Sequence, residues 1–259
     1  VNNILITGAA SGIGAATARL FHQQGWQVGL LDINHQALAK LAGELGNVWH
    51  AALDVTDPAA VKVALADFCA LHGGQLRLLF NSAGILQCGH FEDIELAEHA
   101  RILQINVQGL LNMTHAAFPY LKVTPQAQVI NMGSASGLYG VPHLASYSAS
   151  KFAVRGLSEA LDLEWAKHGI RVGDLMPPFV STPMLNNQRF QAPVLRRLGV
   201  NLEAETVAQA AWAQTRSHAV HRPISWQFKL LYWSGQLTPV WLSRRIMAWL
   251  SREEFPGHL

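Results

Sequence analysis

A chain of 259 residues, half of them hydrophobic and only 14% charged, is long enough to close one sizeable core and too apolar for a disordered segment. Its net charge of +2 comes without a basic stripe or a nucleic-acid-binding motif, which argues against nucleic acid as a partner. Two cysteines, Cys69 and Cys88, lack metal-ligand spacing and cannot build a disulfide framework, so no metal site and a reducing, cytoplasmic setting are expected.

The first predicted strand, Ile4 to Thr7, starts almost at once and leaves no room for a signal peptide ahead of it. No apolar run reaches the roughly 18 residues of a membrane span. The run Thr7-Gly8-Ala9-Ala10-Ser11-Gly12-Ile13-Gly14 follows this strand and opens a helix over 13–24. Glycines at such a junction permit a tight turn and close backbone approach, and the helix amides and dipole can hold a pyrophosphate. A strand at Gln27 to Leu31 ends on Asp32, 18 residues after Gly14, where a carboxylate can accept hydrogen bonds from ribose hydroxyls. Asp32 would repel a 2′-phosphate, and neither Ser11 nor Ile33 supplies a cation to neutralise one. NAD is therefore expected over NADP.

Further strands are predicted at Val48 to Leu53, Leu76 to Phe80, Gln128 to Met132 and Arg171 to Met176, alternating with helices near 35–45, 58–71, 96–121 and 147–167. Asp57-Pro58 marks one helix start, with proline at the first position, and His168-Gly169 marks a helix end. Strands separated by helices imply parallel crossovers and helices on both faces, a doubly wound α/β fold in one domain. Four prolines between Pro177 and Gly199 interrupt the pattern and suggest a mobile flap over a ligand.

Tyr147 and Lys151 stand four residues apart on a predicted helix and so share one face. An ammonium about 4 Å from a phenol contributes roughly 4 kcal/mol at an effective dielectric near 20, enough in scale to draw a phenol of pKa about 10 towards neutrality. The pair is thus expected to act as proton donor and acceptor, with Ser134 upstream as a hydrogen-bonding partner for the reacting oxygen.

The glycine turn, Asn81-Ser82-Ala83-Gly84 after the fourth strand, Ser134 after the fifth, and Tyr147 with Lys151 together resemble the short-chain dehydrogenase/reductase family over about residues 4–215. The resemblance implies a Rossmann-type fold and a catalytic tetrad of Asn106, Ser134, Tyr147 and Lys151, with Asn106 holding a water in a proton relay to Lys151. It implies cofactor contacts from Gly8, Ser11, Gly12, Ile13 and Gly14, from Asp32 to the adenosine ribose, and from Asp54 and Val55 to the adenine. Asn81, Ala83 and Gly84 would line the cofactor, Lys151 would also bind the nicotinamide ribose, and Pro177, Val180 and Thr182 would hold the nicotinamide end. Two departures stand out: serine at position 82 where the family has asparagine, and Pro178 where it commonly has glycine. Pro178 fixes a torsion that glycine leaves free.

The expected reaction is hydride transfer between NAD(H) and a hydrophobic secondary alcohol or ketone. A largely apolar wall of Leu86, Gln87, Leu138, Tyr139, Val141, His143, Met184 and Leu185 is the expected pocket. Competing readings are a non-catalytic dinucleotide sensor, an NADP(H)-dependent carbonyl reductase, and an epimerase or dehydratase lacking its usual extra acid/base groups. The resemblance also implies a homodimer or homotetramer.

The chain divides into a catalytic part, 1–222, and an extension, 223–259, which departs from the family's usual ending with its last strand. No Asp or Glu occurs between Glu205 and Glu253, and the extension carries four tryptophans and several basic residues. Such a segment suits a subunit contact, packing over the active site, or peripheral contact with a membrane through 223–252.

Overall fold

The computed structural model describes residues 2–46, 48–200, 202–235 and 238–251. The strands are β1 (Asn3–Thr7), β2 (Gln27–Asp32), β3 (His50–Ala52), β4 (Leu78–Asn81), β5 (Gln128–Met132), β6 (Arg171–Met176), β7 (Val180–Ser181), β8 (Leu202–Glu203) and β9 (His221–Pro223). The helices are α1 (Gly12–Gln23), α2 (His35–Glu44), α3 (Pro58–Ala70), α4 (Leu96–Leu103), α5 (Leu110–Lys122), α6 (Ala145–Trp165), α7 (Pro183–Asn186), α8 (Pro193–Leu198), α9 (Ala204–Gln214), α10 (Trp226–Gly235) and α11 (Val240–Leu250).

Seven strands form one parallel sheet in the order β3-β2-β1-β4-β5-β6-β9. Period-two alternation sends successive side chains of each strand into two separate cores. Ile4, Ile6, Leu30, Leu78, Phe80 and Ile130 join Phe21 and Leu38 on one face. Leu5, Leu31, Leu79 and Val129 join Phe68, Met113 and Leu121 on the other. The sheet is thus covered by helices on both faces, as the sequence pattern predicts.

Local chemistry sets the helix ends. Asp57 caps α3 by accepting from the amides of Ala59 and Ala60 at 2.9 and 3.1 Å, with Pro58 at its first position. Beyond α6, a short 3₁₀ turn closes on Gly169 in the left-handed region, φ 70°. The helix expected over 96–121 is broken by a π-helical turn at Gln104–Gly109 between α4 and α5, and this turn carries Asn106.

Two sequence expectations change. The segment after β6 is folded rather than irregular: β7 pairs with β8 as a small second sheet, and α7 and α8 fill the span between them. The chain beyond residue 215 also supplies a last strand, β9, which pairs with β6 and was too short, at three residues, to show a periodicity. Beyond it, α10 packs Phe228 and Tyr232 on Ala135 and Met176, while α11 packs Met247 and Leu250 on Val194 and Leu195. The last part of the expected extension, including Arg252, lies outside the described residues.

Candidate active site

The strand order reverses beside β1, where β2 leaves to one side and β4 to the other, and a cleft of about 330 Å³ opens at the carboxyl ends of the strands. Its lining unites residues far apart in sequence. Gly8, Ser11, Gly12, Ile13, Gly14, Asp32, Asp54, Val55, Ala83 and Gly84 form one end. Ser134, Tyr147, Lys151 and Pro177 line the other, and Val180 and Thr182 complete the cleft, with Thr182 beside Gly12.

The turn after β1 is built for close approach. A Cβ on Gly14 would lie 2.1 Å from the carbonyl oxygen of Gly8, and one on Gly8, at φ +65°, would lie 2.8 Å from the Cα of Ala83. Thr7 Oγ1 accepts from the amides of Ser82 and Ala83 at 3.1 and 3.0 Å, tying this turn to the one after β4. The N-terminus of α1 has no side-chain cap and no acidic residue in its first turn, so its amides stay available to an anion. Asp32 accepts from Ala10 N and Asn34 N, both at 2.9 Å, which fixes its carboxylate at the edge of the cleft. These features fit a dinucleotide: bare backbone for a pyrophosphate and a carboxylate for a ribose.

At the other end, α6 presents Tyr147 half-buried and Lys151 buried. Lys151 Nζ donates to the carbonyl of Met132 at 2.7 Å and lies 5.3 Å from the centre of the Tyr147 ring. Ser134, just past β5, accepts from Ser136 N at 3.1 Å and lines the cleft with the Tyr147 phenol. Ala135 N donates to Pro177 O at 2.9 Å, locking the turn after β5 to the end of β6.

The electrostatics correct one expectation. Burial pushes the Tyr147 phenol up to about 12, with the Ser134 hydrogen bond pulling the other way and Cys88 adding to the rise. Burial also draws the Lys151 ammonium down to about 8, opposed by the charge of Asp174. Burial thus moves both groups against the direction that their spacing predicts.

Two residues of the expected site stand outside the cleft lining. Asn81 is buried between β4 and its neighbours, donating to Thr114 Oγ1 at 3.0 Å and Asn131 Oδ1 at 2.9 Å. Asn106 donates to Ile85 O at 3.0 Å and Ser150 Oγ at 3.1 Å and accepts from Ile85 N at 2.8 Å. Its amide clamps the chain after Gly84 to α6 rather than reaching Lys151. Of the expected pocket wall, Leu86, Met184 and Leu185 line the cleft, and Gln87, Leu138, Tyr139, Val141 and His143 do not. Gln87 is exposed; Leu138 packs beside α10, and Tyr139 and Val141 pack in the apolar cluster that also holds the cleft residues Leu86, Leu144 and Phe179. The buried His143 ring packs edge-on to His90 and tilted against Phe190.

The structure adds residues that sequence reasoning missed. Arg101, Ile105, Met132, Leu144, Phe179 and Pro183 also line the cleft. Behind Lys151, Asp174 is fully buried on β6, and its Oδ2 lies 2.8 Å from Nδ1 of His221 on β9. Nε2 of His221 lies 2.8 Å from Glu159, which also accepts from Arg155. An acidic residue in the middle of an otherwise apolar strand was the available signal.

Against this geometry stands a match of the family model for short chain dehydrogenases over residues 2–192. The chain belongs to the short-chain dehydrogenase family. Among its relatives, a cyclohexanol dehydrogenase of Acinetobacter sp. is 32% identical over 211 residues, covering 79% of this chain and 84% of the relative. A 3-alpha-(or 20-beta)-hydroxysteroid dehydrogenase of Mycobacterium tuberculosis is 38% identical over 181 residues, covering 70% and 69%. Among solved structures, a short-chain dehydrogenase/reductase from Burkholderia phymatum in complex with NAD superposes with a TM-score of 0.77 at 27% identity, covering 86% of this chain and 88% of that one. A 3-ketoacyl-(acyl-carrier-protein) reductase from Brucella melitensis complexed with NADH gives 0.76 at 27% identity, covering 86% and 96%. This short-chain dehydrogenase is therefore an oxidoreductase of the CH–OH/C=O class. The family match stops before α8, so α10 and α11 lie beyond it.

Proposed function

We propose that this enzyme interconverts a hydrophobic secondary alcohol and its ketone using NAD(H), with Tyr147 as general acid and base. The observation that carries the reading is the single cleft joining the uncapped glycine turn and Asp32 to Ser134, Tyr147 and Lys151. The amides of Gly8, Ser11, Gly12, Ile13 and Gly14 would hold the pyrophosphate, and Asp32 the adenosine ribose. Asp54, Val55, Ala83 and Gly84 would flank the adenosine half. Lys151, Pro177, Val180 and Thr182 would hold the nicotinamide half, whose bound form supplies or accepts the hydride.

Tyr147 then handles the proton. In reduction its phenol donates to the carbonyl oxygen as that oxygen gains charge; in oxidation the phenolate takes the proton of the substrate hydroxyl. Ser134 hydrogen-bonds the same oxygen and keeps it in line with the phenol. With the phenol pushed up and the Lys151 ammonium still charged below about 8, Tyr147 carries its proton at neutral pH and is able to donate it. Asn106 acts as a positioning residue through Ile85 and Ser150.

The apolar side chains of Leu86, Ile105, Leu144, Phe179, Met184 and Leu185 around the catalytic end favour a hydrophobic substrate body over a phosphorylated one. The relatives named for cyclohexanol and hydroxysteroids are consistent with that class. Exposed Leu96, Leu111, Phe152 and Leu163 on α4, α5 and α6 supply an apolar surface for a homodimer or homotetramer. A NADH-absorbance screen against cyclic and long-chain alcohols and ketones tests the reading. Turnover confined to charged or phosphorylated substrates, or faster with NADPH than with NADH, would overturn it.

A further inference from the structure

A helix at a protein surface ordinarily turns its apolar stripe inward and its polar face to water. Helices α10 and α11 turn apolar residues both ways. Phe228 and Tyr232 of α10, and Met247 and Leu250 of α11, face the protein and are buried. On the opposite face of α10, Trp226, Leu230 and Trp233 recur about one turn apart in the open, and on α11 Leu242, Ile246 and Trp249 do the same beside Trp241. The chain has eight tryptophans. The four exposed ones, Trp226, Trp233, Trp241 and Trp249 at 58–73% exposure, all stand on these two helices.

The charge on this surface has one sign. Lys229, Arg244 and Arg245 are exposed on the two helices, and no carboxylate side chain occurs between Glu205 and Glu253. The Arg245 guanidinium lies 5.6 Å from the ring centre of Trp241. An indole settles at the boundary between headgroups and acyl chains, and a neighbouring Arg or Lys reaches the phosphates from there. A two-fold contact of this face with itself would instead set basic residues against basic residues with no carboxylate on either helix to pair them. No helix of the described residues is long and apolar enough to cross a membrane, which leaves contact with its surface.

We propose that α10 and α11 form a docking surface for bilayers containing anionic phospholipid. The inference rests on the outer faces of these helices and is independent of the catalytic reading.

The test is co-sedimentation of the full chain with phosphatidylcholine vesicles, with and without phosphatidylglycerol, paired with quenching of tryptophan fluorescence by brominated acyl chains and with mass measurement in solution. Binding is expected only to the phosphatidylglycerol vesicles, with quenching, and weaker at high salt. The double variant R244E/R245E should lower the partition by at least about tenfold, and W226A/W241A should reduce both partition and quenching, with both variants keeping the native circular dichroism. Absence of sedimentation on anionic vesicles, or equal sedimentation by R244E/R245E, overturns the proposal. A lower oligomer mass in W226A/W241A without lipid binding by the parent chain also overturns it and gives the face to self-association.

Discussion

The chemistry of Tyr147 depends on the water it loses as much as on the charge beside it. A phenol held at about 12 and an ammonium at about 8 make the site a proton donor at neutral pH. Tyr147→Phe keeps the ring packing and removes the transferable proton. It should lower kcat on the order of 10²–10⁴-fold while NADH affinity, read by fluorescence titration, stays within about threefold; substantial residual turnover would remove Tyr147 from the mechanism. Lys151 predicts the pH profile. Its charge is present below about 8 and lost above, so ketone reduction should hold steady from pH 6 and fall as pH rises through that value. A reduction profile flat to pH 10 would show that the Lys151 charge is not used. The spacing of Tyr147 and Lys151 was legible in the sequence, but the sign of their electrostatics was not, because burial dominates both groups.

At the level of elements, the turn from β1 into α1 is the most tightly constrained part of the site. Gly14→Ala places a Cβ 2.1 Å from the Gly8 carbonyl, a clash with backbone that no side-chain rotation relieves. A loss of about 1–3 kcal/mol in stability is expected, with a larger fractional loss of NADH affinity, measured by chemical denaturation and fluorescence titration on the same sample; native stability and affinity together would show that the turn has slack. Asn106 illustrates how an element positions a residue. The π turn between α4 and α5 aims its amide at Ile85 and Ser150, so its side chain clamps the chain after Gly84 to α6. The π turn spans only Gln104–Gly109 between two regular helices, so the overall helical pattern of 96–121 does not single it out. The same limit hid β7, β8 and β9, which have two or three residues each.

Across the whole molecule, β9 closes the sheet and brings His221 between Asp174 and Glu159, with Arg155 and Lys151 as the neighbouring cations. Burial alone would keep this imidazole neutral, but its hydrogen bonds to Asp174 and Glu159 and the charge of Asp174 outweigh burial and raise its pKa above 6.5. A raised pKa means the folded state binds the proton more tightly. The resulting stability is full below about 6.5 and is lost as pH rises through the folded value. Thermal unfolding should therefore show a decline on the alkaline side of 6.5 that His221→Gln diminishes; an unchanged decline in the variant would place its origin elsewhere. By itself the sequence determined the alternation of strands and helices, the parallel doubly wound fold, the glycine turn and the Ser134, Tyr147 and Lys151 set, because each is written in local periodicity or short spacing. Only the tertiary structure decided the direction of the Tyr147 and Lys151 shifts, the clamp made by Asn106, the buried Asp174–His221 pair and the outward apolar faces of α10 and α11. Each of these depends on which distant segments exclude water from a given side chain, and no local pattern records that.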